Sequence, residues 1–129
     1  MMNEYAQFDT PLMLTLCLEE DSVLISKAVL DALEQPKQIQ MLINDQERKL
    51  MLQACATDVR HAIVVPQYYL QFEMSGHTLL KKIRKLTGWT DDCPRVMYGE
   101  LFPQHRAVVF DLNSAMPAVL QPPRSPEFN

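Results

Sequence analysis

The sequence predicts an α+β fold: two βαββ-like units whose two short helices pack on a mostly antiparallel sheet. Three observations lead there. Two segments carry apolar residues at helical spacing, two others alternate apolar and polar residues around a turn, and the order strand, helix, hairpin occurs twice, its helices starting about fifty residues apart.

In the first half, Leu12 to Leu18 (LMLTLCL) is an apolar run of strand length, stopped by Glu19, Glu20 and Asp21. It reads as a buried strand. Ser26 is placed to cap KAVLDALE, in which Val29, Leu30 and Leu33 share a stripe, and Pro36 prevents continuation. From Lys37 the period changes to two. Ile39, Met41 and Ile43 alternate up to the turn NDQER, and Leu50, Leu52 and Ala54 alternate after it, which makes a hairpin with one apolar face.

In the second half, AIVV (Ala62 to Val65) and YYLQF (Tyr68 to Phe72) read as strand segments interrupted by Pro66, which cannot donate to a ladder and so marks an edge or a bend. Ser75 or Thr78 is expected to cap LLKKIRKL; Leu79, Leu80, Ile83 and Leu86 form its stripe, and Gly88 stands where a left-handed residue closes a helix. After TDDCP, Arg95 to Leu101 and Arg106 to Leu112 alternate around Phe102 to His105 as a second hairpin. Val96 and Tyr98 share a face with Val108, Phe110 and Leu112 only if the register allows it.

The expected organisation is an N-terminal arm at 1–11, one α+β domain at 12–112 with halves at about 12–56 and 61–112, and a tail at 113–129 holding four of the nine prolines. At 129 residues and 14.9 kDa a second independent core has little room. With 47% hydrophobic and 22% charged residues the composition is that of a globular chain. The net charge of −4 and pI of about 5.3 argue against a surface that embraces a phosphate backbone as a whole. Cys17, Cys55 and Cys93 are three, without a CxxC pair, so reduced thiols in a cytoplasmic protein are expected. Met1 to Pro11 lacks the basic and apolar regions of a signal peptide, and no apolar run approaches the ~20 residues of a membrane span, so no membrane association is expected.

The most distinctive chemical feature is the second helix. Lys81, Lys82, Arg84 and Lys85 stand on its polar face, no acidic residue occurs between His77 and Thr90, and Trp89 follows at the end. Such a stripe can contact phosphates while a tryptophan stacks on a base, but four solvated cations covering apolar surface are the commoner arrangement. His61, His77 and His105 lack a second ligand at i+2 or i+4, so no metal and no cofactor is expected. Cys17 and Cys55 fall in strands as small core residues. Cys93 is flanked by Asp91 and Asp92, which oppose thiolate formation. The carboxylates Glu19 to Asp21 and Asp91–Asp92 fall where turns are expected. Glycine occurs only at 76, 88 and 99, which excludes a phosphate loop and a dinucleotide fingerprint.

The segments ISKAVLDALEQPKQIQMLIN, ERKLMLQAC, LLKKIRKLTGW and VVFDL, over roughly residues 24 to 112, resemble small uncharacterised bacterial proteins of the hypothetical or mobile-element type. The doubled order is also similar to that of sliding-clamp and related pseudo-symmetric folds. Neither resemblance carries over an activity or a site residue. The expectation is a non-enzymatic binding or assembly protein. The alternatives are a nucleic-acid-associated or regulatory protein using Lys81, Lys82, Arg84, Lys85 and Trp89, and a small enzyme of unknown reaction. The uncharged strands around Pro66 further predict self-association as a homodimer through a sheet edge, in addition to any protein partner, unless Val119 and Leu120 of the tail cover that edge.

Overall fold

A computed structural model describes residues 11–56, 61–66 and 71–118. The apolar run forms a strand, β1 (Met13–Cys17), which stops at the acidic cluster, and the cluster then turns the chain back. Leu18–Glu20 makes one 3₁₀ turn, Asp21 takes a left-handed φ of 52°, and β2 (Ser22–Ser26) returns antiparallel to β1. Strand β2 is absent from the expectation drawn from the sequence. SVLI runs through Ser26 into the helix with no glycine or proline to punctuate the change of period.

Helix α1 (Lys27–Ala32) is only six residues long. Ser26 does stand at its N-cap, but the hydroxyl accepts a hydrogen bond from the Met13 amide at 3.3 Å and caps nothing. Glu34 and Gln35 then take φ of 66° and 51°, which unwinds the chain before Pro36. Next come β3 (Gln38–Asn44) and β4 (Lys49–Ala54), the expected hairpin, then β5 (Ile63–Val64) and β6 (Gln71–Ser75). Helix α2 (His77–Thr87) begins two residues before the expected LLKKIRKL, with Gly76 at the N-cap in place of Ser75 or Thr78. It closes as expected on Gly88, φ 82°, whose amide reaches Arg84 O at 2.7 Å. Strands β7 (Arg95–Phe102) and β8 (Ala107–Asp111) form the second hairpin, and β9 (Met116–Pro117) pairs with the start of β7.

The expected layering does not form. In place of two βαββ-like units carrying two helices on a sheet, the strands make one antiparallel path, β5-β3-β4-β8-β7-β1-β2-β6, curled into a half-barrel with one main helix. The physical reason is the length of α1. Fewer than two turns cannot cover a sheet, so the strands cover one another by twisting and curling. Inward-facing Leu14, Leu16, Ile25, Ile39, Leu50, Leu52, Met97 and Phe110 are fully buried, with Val29, Leu30 and Leu33 from the α1 segment and Leu80 and Ile83 from α2.

The register of the second hairpin also corrects the sequence reading. Gly99 pairs with Phe110 and Leu101 with Val108, so Met97, Gly99 and Leu101 face the core. Val96 and Tyr98 point outward, Tyr98 half exposed. Of the expected tail, residues up to 118 are ordered against the domain. Leu112–Ser114 forms a 3₁₀ turn, and the Ala118 amide donates to Pro94 O at 2.8 Å. The arm to residue 10, Tyr68 to Leu70, and Val119 and Leu120 lie outside the described residues.

Candidate binding cleft

The two end strands of the sheet, β5 and β6, are near neighbours in sequence. Each is bonded on one side only in the described path, β5 to β3 and β6 to β2. Between these ends the half-barrel stays open. The opening is a cleft of about 630 Å³, within the range of small-molecule sites. Period-two alternation supplies its floor: Met41 and Ile43 from β3, Ile63 from β5 and Met74 from β6, with Leu79 from the first turn of α2. All five are only partly buried, whereas Ile39, earlier on the same face of β3, is completely covered. The rim is polar, with His61, Ser75, His77, Thr78 and Lys82.

Two of the three histidines thus reach one cleft although they share no local spacing. His61 sits just before β5 at a left-handed φ of 64°, and His77 opens α2 with Nδ1 3.0 Å from Asp21 Oδ2. That carboxylate belongs to the β1–β2 turn, whose backbone O also accepts the Gly76 amide at 2.8 Å. The pair fixes one imidazole at the rim, with both side chains well exposed. His105 lies elsewhere, in the β7–β8 turn. Among the described residues no group of three or more His, Cys, Asp or Glu is gathered where a metal ion would sit, and no helix is long and apolar enough to cross a membrane.

The expected basic face divides between two surroundings. Lys81, Lys82 and Lys85, with Thr78 and Leu86, line a second cleft of about 520 Å³ whose far wall is Asp45 in the β3–β4 turn. Lys82 Nζ lies 3.1 Å from Asp45 Oδ2. Arg84, one residue round the helix, turns away. It donates to Asp91 O at 2.8 Å, to Asp92 Oδ1 at 2.7 Å and to Leu18 O at 3.4 Å, tying α2 to the loop before β7 and to the β1–β2 turn. Trp89 is half-buried against the core, and the Arg95 guanidinium lies 4.2 Å from its ring centroid. Arg95 in turn grips Asp91 with two bonds of 3.2 Å, and the Cys93 amide donates to Asp91 Oδ1 at 2.9 Å. This amide first, and the Arg95 guanidinium second, hold the Asp91 carboxyl below its usual range.

The thiols of Cys17 and Cys55 are both pushed up, chiefly by burial, which suppresses the nucleophilic thiolate. No protein-family model matches the chain, and no curated protein or solved structure matches it. The cleft floor was legible in the sequence only as ordinary core. An alternating apolar face announces that it will be covered, and nothing in the alternation says by what.

Proposed function

We propose that the chain is a binding protein and not an enzyme, and that it takes its ligand into the cleft between β3–β5 and β6–α2. One observation carries this reading: Met41, Ile43, Ile63, Met74 and Leu79 face inward from four elements, yet stay partly open where the sheet's ends are apart. Concave apolar surface with a polar rim is the usual form of a ligand site. The Asp21–His77 pair and Lys82 then orient what binds, with no activated nucleophile beside them among the described residues.

A neutral apolar dye, N-phenylnaphthylamine, tests this directly. Its emission is expected to rise on mixing with the full chain and to stay low with Thr78→Trp, which places an indole over the cleft from an exposed helical position. Absence of dye binding, or equal binding by the variant, overturns the proposal. A nucleic-acid reading draws support from Lys81 and Lys85 alone, because Lys82 faces Asp45, and Arg84 and Trp89 are engaged within the fold.

A further inference from the structure

The two clefts share Thr78 and Lys82, so the apolar floor runs on into the lysine-lined groove along α2. Their characters differ. The floor offers Met41, Ile43, Ile63, Met74 and Leu79, none with a side-chain hydrogen-bond donor, and its two thioethers adapt to a flexible chain. The groove offers Lys81, Lys82 and Lys85 against the single carboxylate of Asp45. That is a local excess of two positive charges on a chain whose net charge is −4. Lys82 already faces Asp45, while Lys81 and Lys85 have no carboxylate within ion-pair distance among the described residues. Their charge is therefore available to a guest.

Resting on the cleft reading above, we infer that the ligand is a free amphipathic anion: one alkyl chain laid on the floor, with a carboxylate head at Lys81 and Lys85. A cationic head would meet the lysines' repulsion. A neutral head would gain the same apolar contact and none of the charge term, so the head group decides selectivity while the chain decides whether binding occurs.

The experiment separates the two. The full chain, loaded with N-phenylnaphthylamine, is titrated with decanoate, decanol and decyltrimethylammonium. Decanoate is expected to displace the dye at roughly tenfold lower concentration than decanol, and the cation last. In the double variant Lys81→Gln, Lys85→Gln, both changes on the exposed face of α2, decanoate falls to the level of decanol while decanol is unchanged. Equal displacement by all three, or a decanoate preference that survives in the double variant, overturns the anionic ligand and leaves the cleft standing. Binding to vesicles of anionic phospholipid without displacement by decanoate also overturns it, in favour of a membrane surface. Failure of the dye itself to bind removes the cleft reading, and with it this one.

Discussion

The two hairpins at the middle of the sheet, β3–β4 and β7–β8, are bonded to each other through β4 and β8 and solve one packing problem in different ways. In the first, large residues face each other across the ladder: Ile43 pairs with Leu50 and Met41 with Leu52. In the second, Gly99 lies opposite Phe110, and the aromatic ring occupies the space a side chain at 99 would need. Inner volume is shared almost evenly in the first hairpin, whereas at the Gly99–Phe110 pair of the second it is given wholly to one strand. Alternation of apolar residues is thus enough to recognise a hairpin, and too little to fix which residues face inward.

The largest effect is expected from giving Gly99 a side chain. A Cβ there would stand 2.5 Å from Val108 Cγ1 and 2.7 Å from Phe110 Cε2, closer than carbon atoms approach. Gly99 has no positive φ, so the penalty is steric. Gly99→Ala is expected to cost about 3 kcal/mol and to lower the thermal midpoint by roughly 10 °C. Because two of the three nearest atoms belong to the ring and the third to Val108, Phe110→Leu in the same chain should restore part of that loss, although alone it also destabilises. Denaturation of the two single variants and the double variant measures the coupling. Strictly additive losses would show that the ring does not fill the space over Gly99.

The turns of the two hairpins differ by a smaller amount. Both hairpins close on an arginine in the left-handed region, Arg48 at φ 56° and Arg106 at φ 47°, a conformation that favours glycine. Arg48 is exposed, and among the described residues only its backbone O is bonded, accepting from the Leu112 amide at 2.9 Å. Arg106 uses its guanidinium, donating to Leu33 O at 2.9 Å at the end of α1. Arg48→Gly should therefore stabilise by about 0.5 kcal/mol through relief of backbone strain. Arg106→Gly gains the same relief but loses a charge-assisted bond, with a net cost of about 0.5 kcal/mol. Chemical denaturation of the two variants should show shifts of opposite sign. Shifts of equal sign and size would mean that the Arg106–Leu33 contact contributes nothing.

These differences mark where the sequence was readable. The β3–β4 hairpin could be placed because NDQER separates two alternating runs, and Gly88 could be placed because a helix end needs a left-handed residue there. Strand β2 could not, since SVLI flows into KAVL without a break. The inward face of β7 could not either: Val96 and Tyr98 are more apolar than Gly99, and only the partner Phe110 explains why glycine faces inward. The basic stripe on α2 was visible as composition. Its division between a lysine groove and a structural Arg84 depends on Leu18, 66 residues away, and on a loop whose fold no local pattern records. The cleft depends on strand order, which sets β5 and β6 at opposite ends of one sheet although few residues separate them.

The entries to the hairpins differ as well, and here the effect is smallest and depends on pH. The chain enters β3 through backbone geometry, the left-handed pair Glu34 and Gln35 followed by Pro36. It enters β7 through charge, with Asp91 held by the Cys93 amide and by Arg95, which lies over Trp89. Asp91 is held below its usual range in the folded chain, so its contribution is fully present above the ordinary aspartate value, about 3.9. It is lost as pH falls from there through the lowered folded value. Trp89 is the only tryptophan, so its emission reports the loop without a label. In the parent chain that emission should hold constant down through the ordinary carboxylate range and change only below it, as protonation of Asp91 frees Arg95 from one partner. In Asp91→Asn the low-pH emission should already be present at neutral pH, with slightly reduced stability, and the two chains should converge in stability as the pH falls. A Trp89 signal that titrates alike in both chains would mean that the entry to β7, like that to β3, is held by its backbone and not by the Asp91–Arg95 pair.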